Sequence, residues 1–190
     1  MECIEIYKMR LSTILPHING FYNVLSDNRA RLEPWFWWAS PKITPNKFKF
    51  ASFILLYLLD TKRKEIMHKF SKKNLYDEQF MIYYNGEFYG MMGLDKIDDI
   101  KQNAELWGFM SGADKTPMVV DESTKIIEDY CIKDKNLKSL YAKTQLSNRP
   151  VAIAAVRNGY KNIKTEYGVR ISERNAGISD MITWEKQLVK

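Results

Sequence analysis

The chain has 190 residues, 45% of them apolar and 27% charged, a balance that suits one globular domain with a full core and excludes an intrinsically disordered chain. Its 29 Lys and Arg against 23 Asp and Glu leave a net charge of +6, which favours acidic partners, nucleic acid and polyphosphate cofactors alike. Cys3 and Cys131 are too few for a disulfide framework and form no CxxC pair for a zinc ribbon. Both read as small buried hydrophobes with reduced thiols.

The longest apolar run, 53–59, is far short of the roughly 20 residues that span a bilayer. The first residues, Met-Glu-Cys-Ile-Glu-Ile, lack the basic and apolar regions of a signal peptide. The expectation is a cytoplasmic protein without a membrane partner, with residues 1–190 as a single domain. No metal-ligand spacing exists, and His17 near a helix start reads as structural.

Residues 2–9 alternate and predict a first strand. Pro16 opens a helix whose face is Ile18, Phe21, Tyr22 and Leu25. A short turn at 28–32 leads into the aromatic stretch 35–38, and 39–47 reads as a flexible connection. Phe50, Phe53, Ile54, Tyr57 and Leu58 then repeat with helical period, predicting a long helix to about Phe70 with a charged face over 60–64. Its basic run at 62–64 and the Lys-rich 69–73 read as solvated helix surface rather than a nucleic-acid site. Residues 79–84 and 87–92 flank Asn85-Gly86, the signature of a hairpin with a type I′ turn. A strand at 104–111 and a loop at 112–117 follow. A helix over 118–131 carries an apolar stripe of Val119, Ile126, Ile127 and Tyr130. Then come a strand at 139–144, a helix at 150–157 and strands at 160–171 and 178–188. This order predicts an α+β fold, a mixed sheet with helices on both faces.

Four blocks of residues, in order, carry a resemblance. They are His17 with Asn28, Leu32, Trp35 and Trp38; Gly90 to Gly93 with Ala104-Glu-Leu-Trp-Gly-Phe109; Asn148 with Arg157-Asn-Gly-Tyr160; and Asp180-Met-Ile-Thr-Trp184. Together they resemble the GCN5-related N-acetyltransferases (the GNAT fold), in the branch that acetylates ribosomal proteins. The resemblance covers nearly the whole chain. It implies acetyl-CoA as cofactor and a primary amine as acceptor.

It also implies roles for individual residues. Glu105 stands where many members carry a catalytic carboxylate; the bland alternative is a strand-edge Glu paired with a surface Lys. Phe109, Met110, Lys115, Thr116, Met118 and Val119 fall on the strand and loop that hold the cofactor. Here both glycines of the family's phosphate cradle are missing, and Pro117 has no backbone N–H to give. Asn148 matches a cofactor-contacting Asn and also suits a helix N-cap, while Arg157 suits either a phosphate or solvent. Val151 replaces the family's Ser, so no general acid is assigned. Trp35, Trp38 and Phe48 form the acceptor side, where aromatic rings either pack or stack a flat ligand. The aromatic stretch, the connection and the glycine-poor loop are also similar to the microcin C self-immunity acetyltransferases. That would make the acceptor the amine of a processed aminoacyl-nucleotide antibiotic. The competing readings are N-terminal acetylation of a ribosomal or other protein, and a degenerate, non-catalytic binding module.

Overall fold

Asn85 and Gly86 take positive φ values of 51° and 80° and close the hairpin at the centre of the sheet, as a type I′ turn requires. The structure is a computed structural model and describes residues 3–34, 36–71, 75–112, 115–170 and 178–188. The strands are β1 (Ile4–Lys8), β2 (Tyr76–Tyr84), β3 (Glu87–Asp98), β4 (Asn103–Met110), β5 (Ser139–Gln145), β6 (Lys161–Arg170) and β7 (Ile178–Gln187). The helices are α1 (Leu11–Ile14), α2 (Ile18–Asp27), α3 (Arg29–Leu32), α4 (Lys47–Phe70), α5 (Thr116–Lys133) and α6 (Arg149–Arg157). The strands form one seven-stranded sheet in the order β1-β2-β3-β4-β5-β7-β6.

Period-two alternation sends side chains to two cores. Phe80, Ile82, Leu94, Ala104 and Leu106 face Val119, Ile127 and Cys131 of α5 and Ala155 of α6. Met81, Tyr83, Met91 and Phe109 face Phe21 and Leu25 of α2 and Phe50 and Ile54 of α4. The predicted α+β sandwich with helices on both faces is therefore the observed one. The α4 helix starts where Asn46 accepts a hydrogen bond from the Lys49 amide at 3.0 Å.

Three expectations need correction. The 39–47 connection is pinned rather than loose: Arg29 donates to the carbonyls of Ala39 (2.8 Å) and Thr44 (2.9 Å), and Thr44 is fully buried. Cys3 is exposed, because β1 lies at the sheet edge, while Cys131 is buried. Ile126 is 43% exposed and lies off the buried stripe of α5, which uses Val119, Ile127 and Cys131 instead. Among the described residues, no helix is long and apolar enough to cross a membrane.

One irregularity positions the site. The parallel strands β4 and β5 pair only at Asn103↔Ser139, Ala104↔Leu140 and Glu105↔Tyr141. Beyond that point β4 stays with β3 as far as Gly90↔Met110, and β5 stays with β7 as far as Gln145↔Met181. The two strands part into a wedge.

Candidate active site

The wedge has Glu105 at its closed end and the start of α5 beyond its open end. A wedge between parallel strands leaves main-chain groups of β4 facing away from β3 without a ladder partner on the β5 side. At the end of β4 the Ser111 hydroxyl is buried with no hydrogen-bond partner among the described residues. Arg31 of α3 donates to the Met110 carbonyl and its guanidinium lies against Gly112, which has a φ of 82°. Phe109 is buried, stacking with Phe21 at 5.8 Å, so its side chain belongs to the core and only its main chain borders the wedge.

The first turn of α5 offers few amides. Those of Thr116 and Met118 have no intrahelical acceptor, and Pro117 has none to give. The Val119 amide bonds the Lys115 carbonyl at 3.0 Å and its side chain is fully buried. Val119 therefore supports the turn from behind. Met118 packs partly against the same core. Lys115 is the exposed N-cap, and the Thr116 hydroxyl shares a hydrogen bond with Tyr89 at 3.1 Å.

At the start of α6, Asn148 accepts the Ala152 amide through its carbonyl, but its side chain makes no capping bond. The capping role does not hold, and that amide side chain faces no partner among the described residues. Arg157 is exposed, as a solvated helix Arg would be, and is also paired within the chain. Its Nε lies 2.5 Å from Asp121 and its Nη2 donates to the Pro117 carbonyl at 3.0 Å, which latches α6 to the first turn of α5. Asn158 donates to the other Asp121 oxygen at 2.7 Å. Val151 is exposed and polar contacts are absent from it.

Glu105 shares the α4-side face of β4 with Trp107 and Phe109. Its Oε2 lies 2.6 Å from Lys96 Nζ. Lys96 has a φ of 54° at a bulge that breaks the β3–β4 register between Asp95 and Asp98. The bulge turns the ammonium towards Glu105, a use typical of bulges beside active sites. Directly opposite Glu105 in the ladder stands Asp95, which accepts the Trp107 indole N–H at 2.8 Å. The indole lies flat on Gly93, where any Cβ would collide with it. Burial pushes the Asp95 carboxyl up to about 6, helped by the charges of Asp77 and Glu105 and opposed by the indole N–H. Burial also raises the hydroxyl of Tyr57 on α4, with Asp95 as the next cause. Of the two facing carboxylates, Glu105 is paired with the half-exposed Lys96, the bland arrangement of a strand-edge Glu, and Asp95 is raised by burial.

The slot expected of Trp35 with Phe48 lies partly outside the described residues. Trp35 lies outside the described residues, and Phe48 is 82% exposed with no ring partner among them. The ordered array is Trp38–Phe53–Tyr57. Trp38 and Phe53 stack at 6.0 Å and 20°, Phe53 and Tyr57 at 6.2 Å and 13°, and Trp38 meets Phe109 edge-on. The structure therefore gives Trp38 a packing role with one partly exposed face. His17 sets its ring against Tyr83 at 4.8 Å, in keeping with a structural role. No cluster of metal-ligating side chains occurs among the described residues.

The parted β4 and β5 strands, with a helix start beyond them, define the fold of the GCN5-related N-acetyltransferases. No family model and no curated protein matches the sequence. Solved structures do match it in shape. The ribosomal L7/L12 α-N-protein acetyltransferase RimL, solved with coenzyme A, superposes with a TM-score of 0.75 at 12% identity, over 97% of this chain and 94% of that one. The microcin C7 self-immunity acetyltransferase MccE, solved with acetyl-CoA and AMP, gives 0.72 at 16% identity, over 96% and 92%. A spermidine N-acetyltransferase from Vibrio cholerae, solved with CoA and spermine, gives 0.64 at 15% identity, over 97% and 95%.

Proposed function

We propose that this chain is an acetyl-CoA-dependent N-acetyltransferase whose acceptor is the primary amine of a small aminoacyl-nucleotide. The observation that carries the reading is the wedge that opens beyond Glu105↔Tyr141 with the start of α5 at its mouth. The residues present fit the cofactor. The main chain of β4 and the orphaned Ser111 hydroxyl would receive amide and hydroxyl groups, the Asn148 side chain would add a hydrogen bond, and the Thr116 and Met118 amides with Lys115 would hold phosphate oxygens. Two amides replace the larger set of a glycine-rich cradle, so Lys115 carries more of the phosphate charge. When bound, acetyl-CoA supplies an activated acyl group.

The chain's own carboxylates prepare the acceptor. Glu105, 2.6 Å from Lys96, attracts the ammonium and takes its proton, directly or through one water. Asp95 fixes Trp107 over Gly93 and so shapes the acceptor wall. The partly exposed rings of Trp38, Phe53 and Tyr57 offer stacking surface for a base, and the resemblance to MccE, solved with AMP, supports the same acceptor class. The resemblance to RimL supports a second acceptor, a protein N-terminus.

Mass spectrometry of acetyl transfer to aminoacyl sulfamoyl adenosines beside ribosomal N-terminal peptides tests both. Acetylated adenosine analogue is expected. Acetylated peptide alone would replace the acceptor, and no product with either, or with polyamines, would favour a non-catalytic binding module. On the acceptor that is used, Glu105→Gln is expected to lower kcat about 100-fold with KM for acetyl-CoA unchanged. Unchanged kcat would remove Glu105 as base.

A further inference from the structure

The half-buried rings on the acceptor side come from two separate segments. Trp38 stands in the short turn Trp37–Ala39, and Phe53 and Tyr57 stand on α4. Trp38 and Phe53 stack at 6.0 Å and 20°, so the placement of one segment against the other decides whether they offer one face or two. Phe36 and Phe109 also meet the Trp38 indole, at 5.4 and 5.5 Å. Such ring contacts resist removal of the indole, but the angle at which the turn presents it is set by the main chain.

One side chain joins the two segments. Arg29, the first residue of α3, directs its guanidinium into the 39–44 loop. Its Nη1 donates to the Ala39 carbonyl at 2.8 Å and to the Thr44 hydroxyl at 3.3 Å, and its Nη2 donates to the Thr44 carbonyl at 2.9 Å. The Thr44 hydroxyl in turn donates to the Trp38 carbonyl at 2.8 Å. Ala39 closes the aromatic turn, and Thr44 stands just ahead of Asn46, the N-cap of α4. Both residues are fully buried, so water does not take over these bonds unless the loop opens. The bonds all go to neutral groups of one loop, which marks the guanidinium as a clamp on that loop.

We infer that Arg29 is a positioning residue for acceptor binding, holding the Trp38 turn to the start of α4 so that Trp38 and Phe53 present one stacking face to the acceptor's base. The inference rests on the nucleoside-bearing acceptor proposed above. The role asks for arginine in particular. A planar fork reaches the carbonyls of Ala39 and Thr44 at once, whereas the single ammonium of lysine keeps the charge and loses the fixed geometry. Losing one well-placed ring from a stack weakens the hold on a base on the order of 10-fold.

The test is steady-state kinetics of the full chain with an aminoacyl sulfamoyl adenosine and with the same aminoacyl group as a simple amide, which lacks the nucleoside. Wild type is expected to show the lower KM for the adenosine compound. Arg29→Lys should raise that KM about 10-fold, with kcat, the KM of the simple amide and the acetyl-CoA Kd unchanged. Thr44→Val removes the hydroxyl that holds the Trp38 carbonyl and should move the same KM in the same direction. Circular dichroism confirms folding, and Thr44→Val carries the test alone if Arg29→Lys does not fold. A lower melting temperature with an unchanged ratio of the two KM values would make the clamp merely structural and overturn the proposal. So would an equal loss of acetyl-CoA affinity, the mark of a general loosening, or a failure of both variants to fold. A wild type with no preference for the adenosine compound contradicts the acceptor class itself, whereas a preference that survives in the folded variants contradicts only the role of Arg29.

Discussion

Asp95 and Glu105 stand opposite each other in the ladder, yet their surroundings differ. Lys96 lies 2.6 Å from Glu105, whereas Asp95 is largely buried and accepts the Trp107 indole N–H, with the charge of Lys64 as a weaker support. Because burial raises the Asp95 carboxyl to about 6, the folded chain holds this proton more tightly than the unfolded chain does. The ionised form therefore weighs against folding above pH 6, and the burden lifts as pH falls towards the ordinary carboxylate value. Asp95→Asn keeps an oxygen for Trp107 and never ionises. It is expected to raise Tm by about 5 °C at pH 8, on the order of 2 kcal/mol, with the gain gone at pH 4. A Tm gain independent of pH, or a loss at pH 8, would contradict the assignment, and thermal melts across the range decide it.

Elements rather than single groups hold the sheet edge and α5 in place. Glu78 of β2 is 4% exposed and receives Lys8 of β1 at 2.6 Å, Lys135 at 2.5 Å and Tyr130 of α5 at 2.7 Å. Burial opposes its ionisation, but these three donors outweigh burial and hold the carboxyl below its ordinary value. Its stabilisation is present above the ordinary carboxylate pKa and is lost as pH falls below it. Glu78→Gln should cost about 3 kcal/mol at pH 7 by leaving cations without their partner, measured by urea unfolding, and much less at pH 3. An effect equal at both pH values would contradict the ion-network account. The elements themselves were largely legible in the sequence. Asn85-Gly86 demanded the hairpin, and the spacing of Phe50, Phe53, Ile54 and Tyr57 demanded α4. What could not be read was the pairing across elements. Asp95 and Trp107 meet because the antiparallel register sets Gly93 opposite Trp107 and Asp95 opposite Glu105, and no local spacing reports a register. Arg157 invited a phosphate by its type, and no spacing in the sequence reports its pairing with Asp121 on a different helix.

At the scale of the whole molecule, the basic charge and aromatic excess read from composition acquire places. The aromatic residues divide between the α4-side core, the Trp38–Phe53–Tyr57 array and the exposed ends of α4. Many of the cations are spent on internal pairs such as Lys135 with Glu78, Lys186 with Glu128 and Arg157 with Asp121. Each such pair removes one charge of either sign and leaves the net +6 in place, and the anion site proposed for the cofactor is one helix start with Lys115 beside it. Whether that pared-down site still holds the cofactor is the point on which the functional account rests. Isothermal titration of the full chain with acetyl-CoA measures it directly. The account predicts saturable binding at one site per chain, with a melting temperature that rises with ligand concentration as linkage requires. No heat and no shift in melting temperature at millimolar acetyl-CoA would contradict it.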